Sequence, residues 1–268
     1  MPDVWATFGE LDAATQARLA DVLEVRGADP QQAAMRRAFL SDVAFPPDAR
    51  VVEVGCGTGV LTRMLGRWPG VNAVVGVDSA SPLLERARAL AADLPGVSFQ
   101  HADARSLPFE DASCDVVAFD SVVSHVPGPE GALSEAFRIL RPSGSVAVFD
   151  GDYATTTVAL GEDDPLQSCV NAMLAGSLHD RWVMRRLPAL LRALGFEVVA
   201  TRSHGFVETA CVGYMLTIVE RGADMLCASS RIGDATAAAL KAEARRRVDA
   251  GTFFGHIAYG SLVARRPA

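Results

Sequence analysis

The order of sequence patterns predicts an α/β fold: a mostly parallel seven-stranded sheet with helices on both faces, N-terminal helices, and a helical cap inserted before the last strand. Three observations carry that expectation. An apolar run, Val51-Val52-Glu53-Val54, passes directly into a glycine-dense turn, Gly55-Cys56-Gly57-Thr58-Gly59. Short strand-like runs then alternate with helix-period segments, the pattern of a parallel sheet with crossover helices. The last 70 residues break that rhythm with a helical stretch and one closing strand. No repeat or low-complexity linker divides the chain, and 268 residues suffice to bury a full core.

Taken in order, residues 11–25 place Leu19, Val22 and Leu23 on one helical face, and 30–43 do the same with Met35, Phe39 and Leu40. Pro46-Pro47-Asp48 breaks the chain before the first strand. Strands are expected at 50–54, 73–77, 97–100, 115–119, 145–149 and 196–201, with helices at 60–68, 82–92, 130–140 and 183–194. Pro82 and Pro129 fall where a first-turn proline is tolerated, and Pro142 stops the third of these helices. The final strand is read at 255–264. The organisation is an N-terminal helical cap over 1–45, a core over 46–202, a helical substrate cap over 203–252 and a terminal strand over 253–268.

The glycine turn is the most informative segment. Alternate glycines let the backbone turn sharply and let a ligand approach the main chain. Val60, Leu61, Met64, Leu65 and Trp68 follow at helical spacing, so free N–H groups at the start of that helix face the same place. Strand, glycine turn and helix together form a nucleotide-type site at a sheet edge. A dinucleotide fingerprint requires a small residue where this chain has Val60. A P-loop is excluded because no Gly-Lys-Ser/Thr follows and the only lysine is Lys241. Asp78, 23 residues beyond Gly55 and at the end of the second strand, stands near the spacing at which a carboxylate meets both hydroxyls of a ribose. Its alternative use is to cap the following helix, which Ser79 or Ser81 could do instead.

Further segments follow in order. His101-Ala102-Asp103-Ala104 ends the third strand, Asp115 to Asp120 forms the fourth, Ser121 to Pro127 the loop after it, and Glu135 to Gly144 a helix and turn. With Glu53-Val54-Gly55-Cys56-Gly57-Thr58-Gly59, this ordered set over 51–149 resembles class I S-adenosylmethionine-dependent methyltransferases, and particularly the branch of ubiquinone and menaquinone biosynthesis. Ser143-Gly144 replaces the commoner paired glycines. The resemblance implies a Rossmann-like core and S-adenosyl-L-methionine as cofactor. It implies that Glu53 helps place the methionine amino group, that Asp103 accepts from the adenine amine and that the Ala104 N–H meets a ring nitrogen. The full cofactor set expected is Glu53, Gly55, Cys56, Gly57, Gly59, Asp78, Ser79, Asp103, Ala104 and Asp120.

Methyl transfer from a sulfonium needs alignment first, and a base only when the acceptor must lose a proton. His125 follows the fourth strand and is expected near the transferred methyl; His179, His204 and His256 are further candidate bases. Each could equally be a hydrogen-bonded structural histidine. Asp150-Gly151-Asp152-Tyr153 follows the fifth strand, and its two carboxylates, with Asp152 the candidate site residue, could orient an acceptor amine, act as base, hold a metal or cap a helix, orientation being preferred. Trp5, Phe8, Trp182, Phe206, Tyr214, Phe253 and Phe254 could lid a hydrophobic acceptor, or simply pack the cap.

Composition narrows the partners. Net charge is −7, and the one basic run, Arg245-Arg246-Arg247, is expected on a solvated helix face, which disfavours nucleic acid. Five cysteines (Cys56, Cys114, Cys169, Cys211 and Cys227) contain no C-x-x-C pair, against a zinc site or disulfide framework. No apolar run is long enough to span a bilayer and the N-terminus lacks a secretory pattern, so a cytoplasmic protein, monomer or homodimer, is expected. The expected activity is methylation of oxygen or nitrogen on a small, aromatic or natural-product-like acceptor. The alternatives are quinone-type carbon methylation, or the same fold put to a reaction such as cyclisation.

Overall fold

The computed structural model describes residues 5, 7–209 and 213–268. Cys211 and the residues 1–4 and 6 of the N-terminal segment lie outside these. Two helices come first, α1 (Ala13–Ala28) and α2 (Pro30–Leu40). Asp12 caps α1, accepting from the Thr15 N–H at 3.0 Å. Asp29 ends α1 and caps α2 through the Gln32 N–H at 2.9 Å, with Pro30 at the first helical position. The helix pair therefore breaks where an N-cap carboxylate and a proline stand together. The buried face of α2 carries Gln32, Met35, Arg36, Phe39 and Leu40.

The sheet comprises β1 (Ala49–Val54), β2 (Val71–Asp78), β3 (Val97–His101), β4 (Cys114–Asp120), β5 (Leu140–Thr157), β6 (Glu197–Glu208) and β7 (Gly255–Arg265). Its strand order is β3-β2-β1-β4-β5-β7-β6, and β7 alone runs antiparallel to its neighbours. Crossovers are supplied by α3 (Val60–Leu65), α4 (Ser81–Leu90), α5 (Pro129–Ile139) and α7 (Val183–Ala193). Successive strand residues face opposite ways. Val51, Val116 and Phe149 pack with Phe39, Leu61 and Leu65 on one face; Val52, Val117 and Val148 pack with Leu133, Ile139, Leu187 and Leu191 on the other. In α5, Ala132, Leu133, Ala136 and Ile139 recur at helical spacing, which is why this segment is a helix and how it is seated.

Three departures from the sequence reading matter. The fifth and sixth strands run well past their expected ends, because β7 pairs along both: Asp152 opposes Ala258 and Glu208 opposes Gly255. The helix at 60–68 is only α3, six residues long, followed by turns at Gly66 and Trp68. A helix absent from the sequence reading, α6 (Leu166–Ser177), buries Leu166, Cys169, Val170 and Leu174.

The helical layer before β7 thus comes from two separated stretches. Beside α6 lie α8 (Tyr214–Ala228) and α9 (Asp234–Asp249). The approach of α6 to α8 is so close that a Cβ on Gly222 would stand 1.9 Å from the Cys169 carbonyl oxygen. Buried Glu208 ends β6 and accepts from the N–H groups of Tyr214 and Met215 at 3.1 and 2.7 Å, joining sheet to helix α8. Arg247, expected on a solvated face, is buried; it pairs with Asp164 at 2.5 Å, just before α6, and with Glu243 at 2.8 Å. Arg245 and Arg246 do remain exposed.

Candidate functional site

The chain runs outward from β1 to β2 and β3, then returns to β4 on the other side of β1. This reversal opens a crevice beyond the carboxyl ends of β1 and β4. Register aligns the ends: Val54 opposes both Val77 and Phe119, and Asp78 opposes His101. Everything that follows these residues therefore meets at one edge. Gly55 and Gly59 adopt φ of +71° and +79°, and a Cβ on Gly55 would lie 2.6 Å from a methyl of Val122. Only glycine reconciles that backbone with that approach.

Asp78 organises the turn. Its Oδ2 accepts from the Gly57 N–H at 2.8 Å and its Oδ1 from the Ala80 N–H at 2.9 Å. Each oxygen keeps a second lone-pair direction for a ligand. Burial raises its pKa against the lowering effect of these N–H groups. No side chain caps α4, so neither Ser79 nor Ser81 takes that role. Glu53 is buried and accepts from the Thr62 hydroxyl. Burial pushes its pKa up to about 8.

Asp120 pairs with Arg36 of α2, Nε to Oδ2, at 2.5 Å, both side chains nearly buried. Ser121 also donates to Oδ1 at 3.1 Å. Asp103 is held differently. It is half-exposed and bonded by the guanidinium and N–H of Arg105 at 2.7 to 3.0 Å, which lowers its pKa.

These groups line a cavity of about 320 Å³, within the size range of small-ligand sites. The wall also includes Trp5, Leu23, Arg26, Arg36, Thr58, Val122 and His125. Three wall residues keep a buried polar atom without a hydrogen-bond partner: Arg26 Nε, Arg36 Nη1 and Thr58 Oγ1. The Arg36 donor and the Thr58 hydroxyl, left unsatisfied beside Glu53, Asp78 and Asp120, suit a ligand bearing both acid and amine groups. That chemistry fits an amino-acid-bearing nucleoside such as S-adenosylmethionine. No group of His, Cys, Asp and Glu able to hold a metal occurs among the described residues.

Of the expected cofactor residues, Glu53, Gly55, Cys56, Gly57, Asp78, Ser79, Asp103, Ala104 and Asp120 line this cavity; Gly59 does not. A Cβ on Gly59 would meet the Phe99 ring at 2.9 Å, so this glycine serves helix packing. His125 lines the cavity, its ring 6.3 Å from Trp5 and 6.5 Å from Tyr153. The other candidate bases lie elsewhere. Asp152 pairs with Arg185 at 2.9 Å; His179 is exposed in the loop after α6. His204 is buried against Phe149 with Nε2 2.9 Å from the Ser261 hydroxyl, and His256 sits within β7. None of the four lines the cavity. Of the aromatic lid candidates Trp5 lines it, while Trp182 points to solvent beneath Arg181 and Arg185.

Three groups were missed by the sequence reading: Arg26, Arg36 and the Thr58 hydroxyl. Arg36 carried a signal, because it interrupts the apolar face of α2 between Met35 and Phe39. Asp150, the neighbour of Asp152, proves the more important carboxylate. It is fully buried and accepts from the Ser124 N–H and hydroxyl at 3.0 and 3.1 Å, fixing the loop that carries His125.

Residues 52–148 match the family model described as a methyltransferase domain. The demethylmenaquinone methyltransferase of Staphylococcus aureus is 32% identical over 129 residues, covering 48% of this chain and 54% of that protein. The chain spans about half the length of the curated relatives it matches. Among solved structures, the geranyl diphosphate C-methyltransferase of Streptomyces coelicolor A3(2) superposes with a TM-score of 0.53 at 16% identity, over 88% of this chain and 80% of that one. The [4+2]-cyclase SpnF gives 0.55 at 22% identity, over 88% and 81%. These likenesses establish the shared fold.

Proposed function

We propose that the chain, whose residues 52–148 match the methyltransferase-domain family model, transfers a methyl group from S-adenosylmethionine to an oxygen or nitrogen of a small molecule. The observation that carries this reading is the convergence of Glu53, the Gly55–Gly57 turn, Asp78, Asp103 and Asp120 on one cavity at the strand-order reversal. S-adenosylmethionine supplies, when bound, a methyl on a sulfonium, a leaving group that needs no further activation.

The chain's own work is then placement. Asp78 would accept from the ribose hydroxyls, and Asp103 and the Ala104 N–H would hold the adenine. Glu53 and Asp120 would receive the amino group; Arg36 Nη1 and the Thr58 hydroxyl would meet the carboxylate, ending their lack of a partner. Such fixed alignment can supply roughly 7–11 kcal/mol of the barrier. His125, held by the Ser124–Asp150 contacts, would take the proton from the acceptor oxygen or nitrogen, an effect of about 10²–10⁴ in rate. The N-terminal helices and the layer of α6, α8 and α9 would form the acceptor side.

Calorimetric titration with S-adenosylmethionine tests the reading. The wild type should bind, and Asp78→Ala should bind about 100-fold more weakly, a loss of about 2.7 kcal/mol. Asp78→Asn, which keeps the shape and one acceptor, should fall between them. A wild type that does not bind overturns the reading. Transfer is then read as a product one methyl heavier with stoichiometric S-adenosylhomocysteine. The carbon shift of that methyl separates oxygen or nitrogen from carbon, the acceptor atom in the alternative drawn from the menaquinone-type resemblance.

A further inference from the structure

We propose that the acceptor carries a carboxylate and that Arg26 is the residue that receives it; the inference rests on the methyl-transfer reading. Arg26 belongs to the last turn of α1 and lines the cavity. Of the three arginines in the cavity wall, Arg36 is paired with Asp120 and Arg105 with Asp103. Arg26 has no carboxylate within ion-pair distance among the described residues. Its Nη2 donates to the Tyr259 hydroxyl at 3.2 Å, its guanidinium stands 5.0 Å from the centre of the Tyr214 ring, and its Nε is buried with no partner.

A cation in this setting is costly to hold. Removing a guanidinium from water without a counter-charge costs several kcal/mol, and neutral aromatic neighbours return only part of it. Tyr153 and Tyr214 stay neutral beside it, for burial drives their pKa upward, and the carboxylate that acts on Arg26, Asp120, is already paired with Arg36. The wall is therefore built to present positive charge and hydroxyl donors. A guanidinium's forked N–H groups match the two oxygens of a carboxylate.

The charge balance of the cavity points the same way. Asp78, Asp103 and Asp120 are matched by the three arginines, and burial favours the neutral form of Glu53. S-adenosylmethionine carries one net positive charge, from a sulfonium and an ammonium against one carboxylate. With the donor in place the cavity holds an excess positive charge, and an anionic acceptor cancels it. Tyr153 stands near both His125 and Arg26, its ring 6.5 Å from the one and its hydroxyl within electrostatic range of the other. An acceptor anchored on Arg26 could thus reach toward His125 with its nucleophilic oxygen or nitrogen.

The test uses the full chain saturated with S-adenosylhomocysteine, titrated calorimetrically with 4-hydroxybenzoate and with 4-hydroxybenzamide. Saturable binding of the acid is expected in the millimolar range or tighter, with the amide at least about tenfold weaker. Arg26→Met should abolish this preference and leave the affinity for S-adenosylhomocysteine unchanged; Arg26→Lys, which preserves charge but not the fork, should keep part of it. Equal binding of acid and amide, or no saturable binding of the acid, overturns the proposal. So does an Arg26→Met variant that loses S-adenosylhomocysteine affinity, since Arg26 would then be holding the donor's own carboxylate. If the wild type does not bind S-adenosylhomocysteine, the methyl-transfer reading fails, and the same two titrations of the free protein decide the carboxylate site separately.

Discussion

The edge formed by β1 to β4 and the half formed by β5 to β7 with α6, α8 and α9 belong to one sheet but specify their chemistry differently. At the first, binding geometry is written mainly in backbone. Positive-φ glycines, Asp78 receiving N–H groups of the turn, and four strand ends in register produce a cradle that tolerates little variation. At the second, side chains do the work. Phe149 and Tyr259 stack at 5.2 Å, Tyr259 meets Arg26 of the N-terminal helix, and Glu208 ties β6 to α8. A backbone-defined site requires particular residues at particular spacings. A side-chain-defined site can be remodelled by substitution on a fixed frame, which is how one donor edge can serve many acceptors.

The sharpest way to break the contrast is at Arg36, where the two regimes meet. Arg36→Met leaves Asp120 buried without its cation, and truncating one partner of a buried pair costs about 3–5 kcal/mol. Urea denaturation should show a loss of that size, and Asp120→Asn combined with Arg36→Met should recover part of it. A change below about 1 kcal/mol, the range of exposed pairs, would mean the pair is not held as described.

A smaller effect separates the edge by pH. Glu53 holds its proton up to about 8 in the folded protein, against 4.5 ordinarily. Between those values the folded state binds the extra proton, so this group's contribution to stability is present below 4.5 and lost as pH rises toward 8. From pH 5 to pH 7 the loss is on the order of 2 kcal/mol. Glu53→Gln should flatten that part of the pH profile of the ligand-free protein; an unchanged slope would contradict the assignment.

The smallest effect is expected at Asp152. Its partner Arg185 is half-exposed, so Asp152→Asn should shift stability by no more than about 1 kcal/mol and leave S-adenosylhomocysteine binding intact. A large loss of donor binding would bring Asp152 back into the site.

The same contrast explains what could be read from residues alone. Every strand but β5, which begins at Leu140 rather than 145, was recognisable within two residues of its start, because β-branched runs and turn residues are local signals. That the expected cofactor residues gather along one cavity was legible for the same reason: each stands at or just beyond a strand end, and only Gly59, turned toward Phe99, faces elsewhere. His179, His204 and His256 show the limit. A histidine's type says that it can move a proton, while its direction is decided by β6–β7 pairing and by helices distant in sequence. Arg26 went unread, and the part Asp150 plays in holding Ser124 could not be seen, because the importance of both lies in what is buried around them. Helix α6 was overlooked because its apolar face is complete only once α8 is set against it.

The place of β7 between β5 and β6 has one further consequence, for the order in which the sheet is assembled during synthesis. β1 to β4 can pair as soon as residues up to 120 have been made. β6 has no neighbour until residues 255–265 arrive, about fifty positions later, and it waits as an unpaired edge while α8 and α9 emerge. Non-local pairing of this kind is slow and leaves strand edges open to association. The crevice edge of β1 to β4 can thus be assembled early, whereas the other half of the sheet is completed only when a late strand slots into the gap between β5 and β6.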